Sequence, residues 1–322
     1  MLTAAIALMM GLGEYTCVEI PSLPKTGTLS RAWVTDDNLV VGNWYTHVPP
    51  GHAGDVLAKP FVWQDGKLVP LPLAGGEFGH VTAGDSSGLV GEASTKDSYV
   101  PVMWKPDPKD GWSKPALTIL DSQKGMARAV EWAKNTIWIE DGLNIRKWMD
   151  GKITYAKLEN FRLVGIDEKG RWFGNTSIGS GRFGGSRESE LRATFIDKAG
   201  RHELVPQGYE TAMLTAINAK GVAIGTAYQK KSLGVVWANG VMREIPGMDW
   251  PAAINSEGLI VGYALKPKLH ACLLDGDKIL DLSAVVPGVT LTEAKSINKS
   301  GAILAENGET ETGRLFLLTP RK

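Results

Sequence analysis

Two cysteines in 322 residues exclude a disulfide framework and a cysteine-rich zinc site. Neither lies in a C-x-x-C motif; the sequence leaves open whether Cys17 and Cys272 pair, and two separate buried thiols are the favoured reading. An excess of charge is also missing. With 35 basic against 35 acidic residues, no global field steers the chain toward nucleic acid or an anionic membrane, and any electrostatic recognition must be local. No apolar run reaches the roughly 20 residues of a membrane-spanning helix. No sustained 3.6-residue apolar period marks long helices either. Abundant instead are 38 Gly and 17 Pro within a chain that is 43% hydrophobic, the composition of many turns and short strands around an ample core.

The segment Leu2 to Met10 is apolar and uncharged, about half the length needed to span a bilayer, and Gly11 and Gly13 follow at the small-residue positions of a cleavage site. Residues 1–13 are therefore read as an export signal, which makes the protein secreted or periplasmic and leaves 14–322 as one domain. The absence of Lys or Arg ahead of the run keeps an apolar first strand as the alternative.

The stretch Ile217-Asn218-Ala219-Lys220-Gly221-Val222-Ala223-Ile224-Gly225 reads as strand, tight turn, strand. Weaker copies recur along the chain. Aligned on the last residue, they end at Gly42, Gly91, Glu140, Gly174, Gly225, Gly262 and Ala305, at steps of 34 to 51 residues that average about 44. Each copy continues with a loop, an aromatic or apolar third strand such as Phe61-Val62-Trp63 or Val235-Val236-Trp237, a turn and a fourth strand. Asp65-Gly66, Asp150-Gly151, Asn239-Gly240 and Asp275-Gly276 are hairpin turns between apolar runs. Copy seven lacks a fourth strand, and Tyr15 to Pro21 resembles the fourth strand Met242 to Pro246. Pairing it with the last copy closes a ring without an open edge. The expected fold is all-β, a seven-bladed β-propeller of four-stranded blades, with six or eight blades if one copy is misread.

These residues resemble the HAF-type bacterial extracellular repeat family, which repeats an Ile-Asn-x-x-Gly-x-Ile/Val-Gly strand pair before a His-Ala-Phe-Leu-Trp strand. Ile254 to Gly262 with His270-Ala271-Cys272-Leu273 comes nearest, and six of the seven copies lack the His. The resemblance implies export and a propeller-like fold. It implies no reaction.

Several motifs are weighed as chemistry. Gly84-Asp85-Ser86-Ser87-Gly88 matches G-x-S-x-G, but no helix follows and the stretch occupies a hairpin turn. Gly179 to Gly184 matches G-x-G-x-x-G without the helix that would meet a pyrophosphate. His47, His52 and Asp55 are a weak zinc candidate in a Pro- and Gly-rich loop with no element to fix their spacing. Trp63, Trp104, Trp148 and Trp237 share one repeat position and read as packing residues. No cofactor is implied.

Residues at the start of each copy's opening strand form the informative set: Arg31, His80, Arg128, Arg162, Met213, Trp250 and Glu293. Three Arg and one His come from four consecutive copies, and converging guanidiniums suit bidentate recognition of a carboxylate or phosphate. The structural alternative pairs these Arg with acids such as Glu131 and Glu159. Two long loops, about residues 45–59 and 177–191, are placed on the same face.

The sequence therefore supports an exported, monomeric propeller binding an anionic small molecule, glycan or protein partner through Arg31, His80, Arg128, Arg162, Trp250 and Glu293, with no nucleic-acid partner and no membrane insertion. The catalytic alternative is a hydrolase or lyase acting on an acidic saccharide, with His80 as base and Glu293 or Glu210 as acid. A purely structural surface repeat is the third reading.

Overall fold

The computed structural model describes residues 15–21, 26–46, 58–131, 134–141, 144–156, 160–177, 191–205, 208–286, 288–308 and 313–321. Strand β1 (Tyr15–Ile20) stands apart in sequence from its partners. The others follow by fours: β2 (Thr26–Val34), β3 (Val40–Thr46), β4 (Ala58–Gln64) and β5 (Lys67–Pro70), then β6 (Gly79–Asp85), β7 (Gly88–Ser94), β8 (Tyr99–Asp107) and β9 (Gly111–Ile119). The third copy comprises β10 (Met126–Glu131), β11 (Thr136–Glu140), β12 (Ile145–Met149) and β13 (Lys152–Ala156), and the fourth β14 (Phe161–Ile166), β15 (Trp172–Ser177), β16 (Leu191–Asp197) and β17 (Gly200–Glu203). The fifth is β18 (Thr211–Ile217), β19 (Ala223–Gln229), β20 (Lys231–Ala238) and β21 (Val241–Glu244). The sixth is β22 (Trp250–Ile254), β23 (Ile260–Ala264), β24 (His270–Asp275) and β25 (Lys278–Asp281). Strands β26 (Glu293–Ile297), β27 (Ile303–Asn307) and β28 (Arg314–Pro320) complete the set.

Each copy is a sheet ordered as its sequence, all neighbours antiparallel, and the fourth and fifth join through a single parallel pair, Arg192 with Ala212. The last sheet runs β1-β28-β27-β26, with β1 in unbroken register from Tyr15 opposite Pro320 to Ile20 opposite Leu315. Glu19 and Arg314 form a two-pronged ion pair across this closure. The N-terminal strand thus supplies the missing fourth strand of the last copy.

The chain divides into two compact units, Ser22–Gly165 with Gly174–Glu190, and Met1–Pro21 with Ile166–Phe173 and Leu191–Lys322. In the first unit, Leu39, Val41 and Val62 of the first copy pack with Val81, Leu89, Val102 and Trp104 of the second. Val90 and Met103 then pack with Ala127, Ile137 and Ile139 of the third. In the second unit, Ile224 and Ile245 meet Ile254, Ile260 and Cys272, and Val261 and Leu273 meet Ile303, Phe316 and Leu318. Each of these clusters draws on two successive sheets, so the copies in them bury their apolar faces against one another.

The recurring turn is built as its sequence predicts, with an added role. Asn218 donates its amide to the Val222 carbonyl, accepts from Gly221, and takes the Val222 amide on its side-chain oxygen at 3.0 Å. Gly221 sits at φ +81°, the left-handed region. Its side-chain Nδ2 is then free to reach the next sheet, donating to the Asn255 carbonyl at 3.0 Å, and Asn255 repeats this onto Asn298 at 3.0 Å. The motif Asn therefore closes its own hairpin and staples it to the following one. Indole N–H groups act similarly: Trp104 donates to the Pro72 carbonyl at 2.7 Å and Trp237 to Leu204 at 2.9 Å.

One predicted turn moves. Asp275 is the last residue of β24, and the tight turn falls on Gly276 and Asp277, one residue later than the Asp-Gly pair suggests. The Gly84-to-Gly88 segment is a hairpin: Asp85 pairs with Gly88, and Asp85 Oδ1 accepts the Ser87 amide at 2.8 Å. That is turn chemistry, with no strand-to-helix elbow.

Asn255 is buried, and its Oδ1 also accepts the amides of Glu257 and Leu259 at 3.0 Å. Asn255→Ala strands these donors and the Asn298 carbonyl, and is expected to lower unfolding free energy by about 2 kcal/mol. Urea denaturation of the variant against the parent measures this.

Candidate functional site

The opening strand of nearly every copy carries one extra residue. Register shifts mark it at Ser30, Thr82, Arg128, Thr215, Ala252 and Lys295, in β2, β6, β10, β18, β22 and β26. A bulge bends its strand and re-aims neighbouring side chains. The last Gly of the motif makes room for it. A Cβ on Gly91 would lie 1.9 Å from the His80 carbonyl oxygen, on Gly174 2.2 Å from that of Arg162, on Gly225 1.9 Å from Met213, and on Gly262 2.0 Å from Trp250. The glycines thus mark the residues predicted to carry specificity. Their cross-strand partners follow directly: Arg31 faces Asn43, His80 faces Glu92, Met213 faces Thr226, Trp250 faces Tyr263 and Glu293 faces Glu306.

Copy three departs from this scheme and corrects the sequence alignment. Its bulge lies after Ala127, which pairs with Ile139, so Ile139 holds the place of the motif Gly and Glu140 the place after it. Met126 is consequently the counterpart of Arg31 and His80, and Arg128 is the bulged residue itself. Across from Ile139 stands Arg146, where other copies carry Phe61, Val102, Val235, Cys272 or Phe316. Arg146 is fully buried, ion-paired with Asp121 and donating to the Lys124 carbonyl at 2.6 Å. It anchors the segment that leads into β10 and thereby fixes Arg128.

In the first unit the structure brings Arg31, Arg128 and Arg162 into one another's field. Burial and the neighbouring guanidiniums of Arg128 and Arg162 bring Arg31 down to about 10. Arg162 is likewise lowered, by burial and then by Arg128, against the pull of Glu140. Arg31 and Arg162 are both exposed at the surface, although each has much protein packed around it. Water therefore discounts the desolvation and also screens the repulsion among the three cations, so the direction of both shifts stands and their size is modest. Arg128 donates from Nε to Glu140 Oε2 at 3.1 Å. Glu131, expected as an alternative partner, instead binds Lys134 at 2.6 Å and the Trp138 indole at 3.2 Å. Glu159 lies outside the described residues. Among the described residues, the three guanidiniums thus have one ion-paired carboxylate, Glu140 on Arg128.

His80 belongs to the same group. Asn43, opposite Arg31, receives the Val81 amide at 2.8 Å and donates to the Val81 carbonyl at 2.9 Å, and Thr82 donates to the Ala127 carbonyl. His80 therefore lies on the strand locked between those of Arg31 and Arg128. Its Nδ1 is 3.0 Å from Glu92 Oε1, with the side chains 26% and 14% exposed. An open cleft of about 720 Å³ lies further along β6 and β7, lined by Phe78, Ser94, Lys96, Asp97, Tyr99 and Lys124 among others, with neither His80 nor Glu92 in its wall.

The second unit holds the remaining predicted residues. Trp250 is half-buried and stacks on Tyr263 at 6.3 Å with a 4° tilt. Glu293 accepts from Lys295 at 2.8 Å, and Lys295 also binds Glu306 at 2.6 Å. Burial works against the Lys295 charge, but Glu306 and Glu293 outweigh it and raise its pKa. Glu293 is thus a counter-ion of the half-buried Lys295. Glu210 is exposed just before β18. The sequence reading missed Glu92, Glu140, Glu306 and Lys295. Their signal is the position immediately after the motif Gly, acidic in three copies.

His47, His52, Asp55 and Gly179 to Gly184 lie outside the described residues, as do most of loops 45–59 and 177–191. Among the described residues no group of three His, Cys, Asp or Glu is placed to hold a metal, and no helix is long and apolar enough to cross a membrane. Cys17 and Cys272 are separate thiols. Burial, followed by Asp281 and Asp249, pushes Cys272 up to about 12, which leaves it unreactive.

No protein-family model matches the chain, and no curated protein matches it in sequence. Solved structures do match its fold. A virginiamycin B lyase from Staphylococcus aureus, a catalytically inactive form with quinupristin, aligns with TM-score 0.55 over 96% of this chain and 100% of its own at 14% identity. A streptogramin B lyase aligns with TM-score 0.51 over 96% and 98% at 12% identity. This chain is a β-propeller. A GH74 xyloglucanase from Xanthomonas campestris also matches, with TM-score 0.52 and 12% identity over 97% of the propeller and 44% of the xyloglucanase. At these identities the likeness is one of fold, and propellers of this architecture host lyases and glycoside hydrolases alike.

The crowding at Gly91 supplies a direct check on how the site is held. Gly91→Ala drives a methyl group into the His80 backbone carbonyl and is expected to cost about 1–3 kcal/mol. It should also shift the His80 imidazole resonances in NMR spectra, because the bulge that aims His80 cannot keep its geometry.

Proposed function

We propose that the protein is an exported, HAF-type propeller of seven blades that binds an anionic ligand through Arg31, Arg128 and Arg162. The observation that carries this reading is three guanidiniums in one another's field with, among the described residues, one ion-paired carboxylate, Glu140. Clustered cations raise the energy of the folded chain, and a bound carboxylate or phosphate relieves that repulsion through charge-assisted, bidentate contacts. Neither Arg31 nor Arg162 has a hydrogen-bonded partner among the described residues, so both retain donors for a ligand. Trp250 stacked on Tyr263 supports an aromatic platform for a sugar ring in the second unit. An acidic saccharide presents the carboxylates that the arginine cluster suits and is the preferred ligand class. The reading treats the protein as a secreted or periplasmic monomer.

A second reading, catalysis on that saccharide, is favoured by the His80–Glu92 pair. The acid partners first considered fit it less well. Glu293 is engaged with Lys295, and Glu210 carries no contact that would aim its carboxyl at a substrate.

Isothermal titration of the protein with digalacturonate at low ionic strength tests the binding reading. Arg31→Gln with Arg162→Gln removes two charged donors, each contributing about 1.5–3 kcal/mol, so affinity is expected to fall at least a hundred-fold. Equal affinity in the parent and the double variant would refute the site.

A further inference from the structure

We infer that His80 is a general base, oriented by Glu92, that removes the proton on the carbon next to a carboxylate held by the arginine cluster. The inference rests on the anion-binding reading above and assigns that site a reaction class. It starts from the contact between His80 Nδ1 and Glu92 Oε1 at 3.0 Å. A carboxylate only accepts, so Nδ1 carries the proton and Nε2 of the neutral ring keeps its lone pair. This is how a histidine base is held ready: the orienting acid fixes the tautomer and stabilises the imidazolium that forms. Glu92 is held in turn, since β7 is locked in register between β6 and β8, with Glu92 opposite Pro101. The pair is only partly exposed, which keeps the imidazole accessible while strengthening its bond to Glu92.

Placement makes the pair more than a surface ion contact. The two side-chain ties described above, Asn43 to Val81 and Thr82 to Ala127, fix the His80 strand between those of Arg31 and Arg128. A carboxylate bound by these guanidiniums has its charge neutralised, which acidifies the adjacent C–H. The cleft of about 720 Å³ begins at Phe78, two residues from His80 in sequence, and offers room for sugar units extending away from the reacting one.

For a 4-linked uronate the step balances without an oxidant, a reductant or water. The C5–H bond breaks and its proton goes to Nε2 of His80. The electron pair passes into the carboxylate as an enediolate stabilised by the arginines, then returns to form the C4–C5 double bond as the C4–O bond breaks. The leaving oxygen takes the proton back from the His80 imidazolium. Glu92 touches no reacting atom and is a positioning residue.

Nitrogen-15 NMR of the five-histidine protein, with His80 assigned by His80→Asn, reads the geometry, and digalacturonate in deuterated water reads the chemistry. Expected are a neutral His80 protonated on Nδ1, loss of that preference in Glu92→Gln with recovery in Glu92→Asp, and movement of His80 together with the Arg31 and Arg162 Nε–H signals on titration. Deuterium at C5 or an unsaturated product should form with the parent and fall at least a hundred-fold with His80→Asn, which still binds. A neutral His80 protonated on Nε2 overturns the inference. So does ligand binding that moves the arginine signals while His80 stays still, or that yields neither C5 exchange nor an unsaturated product. Absence of any shift, at His80 or the arginines, overturns the anion-binding reading itself.

Discussion

One extra residue in the opening strand of nearly every copy is the constraint on which the rest of this propeller depends. The bulge pushes the preceding carbonyl toward the second strand, so the motif ends in Gly wherever that crowding is greatest. It also frees a side chain to leave its own sheet. In copies two and five that side chain is Thr, which donates to the Ala127 and Pro251 carbonyls of the following copy. In copies three and seven it is a cation, Arg128 or Lys295, bound to the glutamate that follows the Gly position, Glu140 or Glu306. The same backbone defect therefore serves as a fastener in some copies and a charged outlet in others.

This division of labour explains how a repeat can be monotonous in frame and varied in chemistry. Turn Asn residues, the indole donors and the paired apolar clusters reproduce the same contacts copy after copy and leave little room for change. The cross-strand pair at the bulge carries little of that load, apart from Asn43, which ties the first copy to Val81 of the second. It holds Arg31 and Asn43, His80 and Glu92, Trp250 and Tyr263, and Glu293 and Glu306, a different pairing each time.

Much of the frame was legible in the sequence because turns and strand phase are local. Asn218 with Gly221 announces its hairpin, and Tyr15 to Pro21 announces the strand that completes the last sheet. Copy three was less legible, since it keeps neither the Asn nor the Gly, and the one-residue difference between Ile139 and Glu140 is visible only in pairing register. Register also hid the acids. Glu92, Glu140 and Glu306 sit next to a glycine or its stand-in, a place that local pattern assigns to the strand interior. Arg146, a charge in a core position, is intelligible only once Asp121 is seen beside it.

The central claim is that recognition resides at the bulge-flanking positions and that the motif itself is scaffold. A crystal structure with digalacturonate bound tests it most directly. The account predicts a carboxylate in bidentate contact with at least two of Arg31, Arg128 and Arg162, with the sugar carbon next to it against His80 Nε2. A ligand seated on the repeated turns, or guanidiniums directed away from it, would contradict the account.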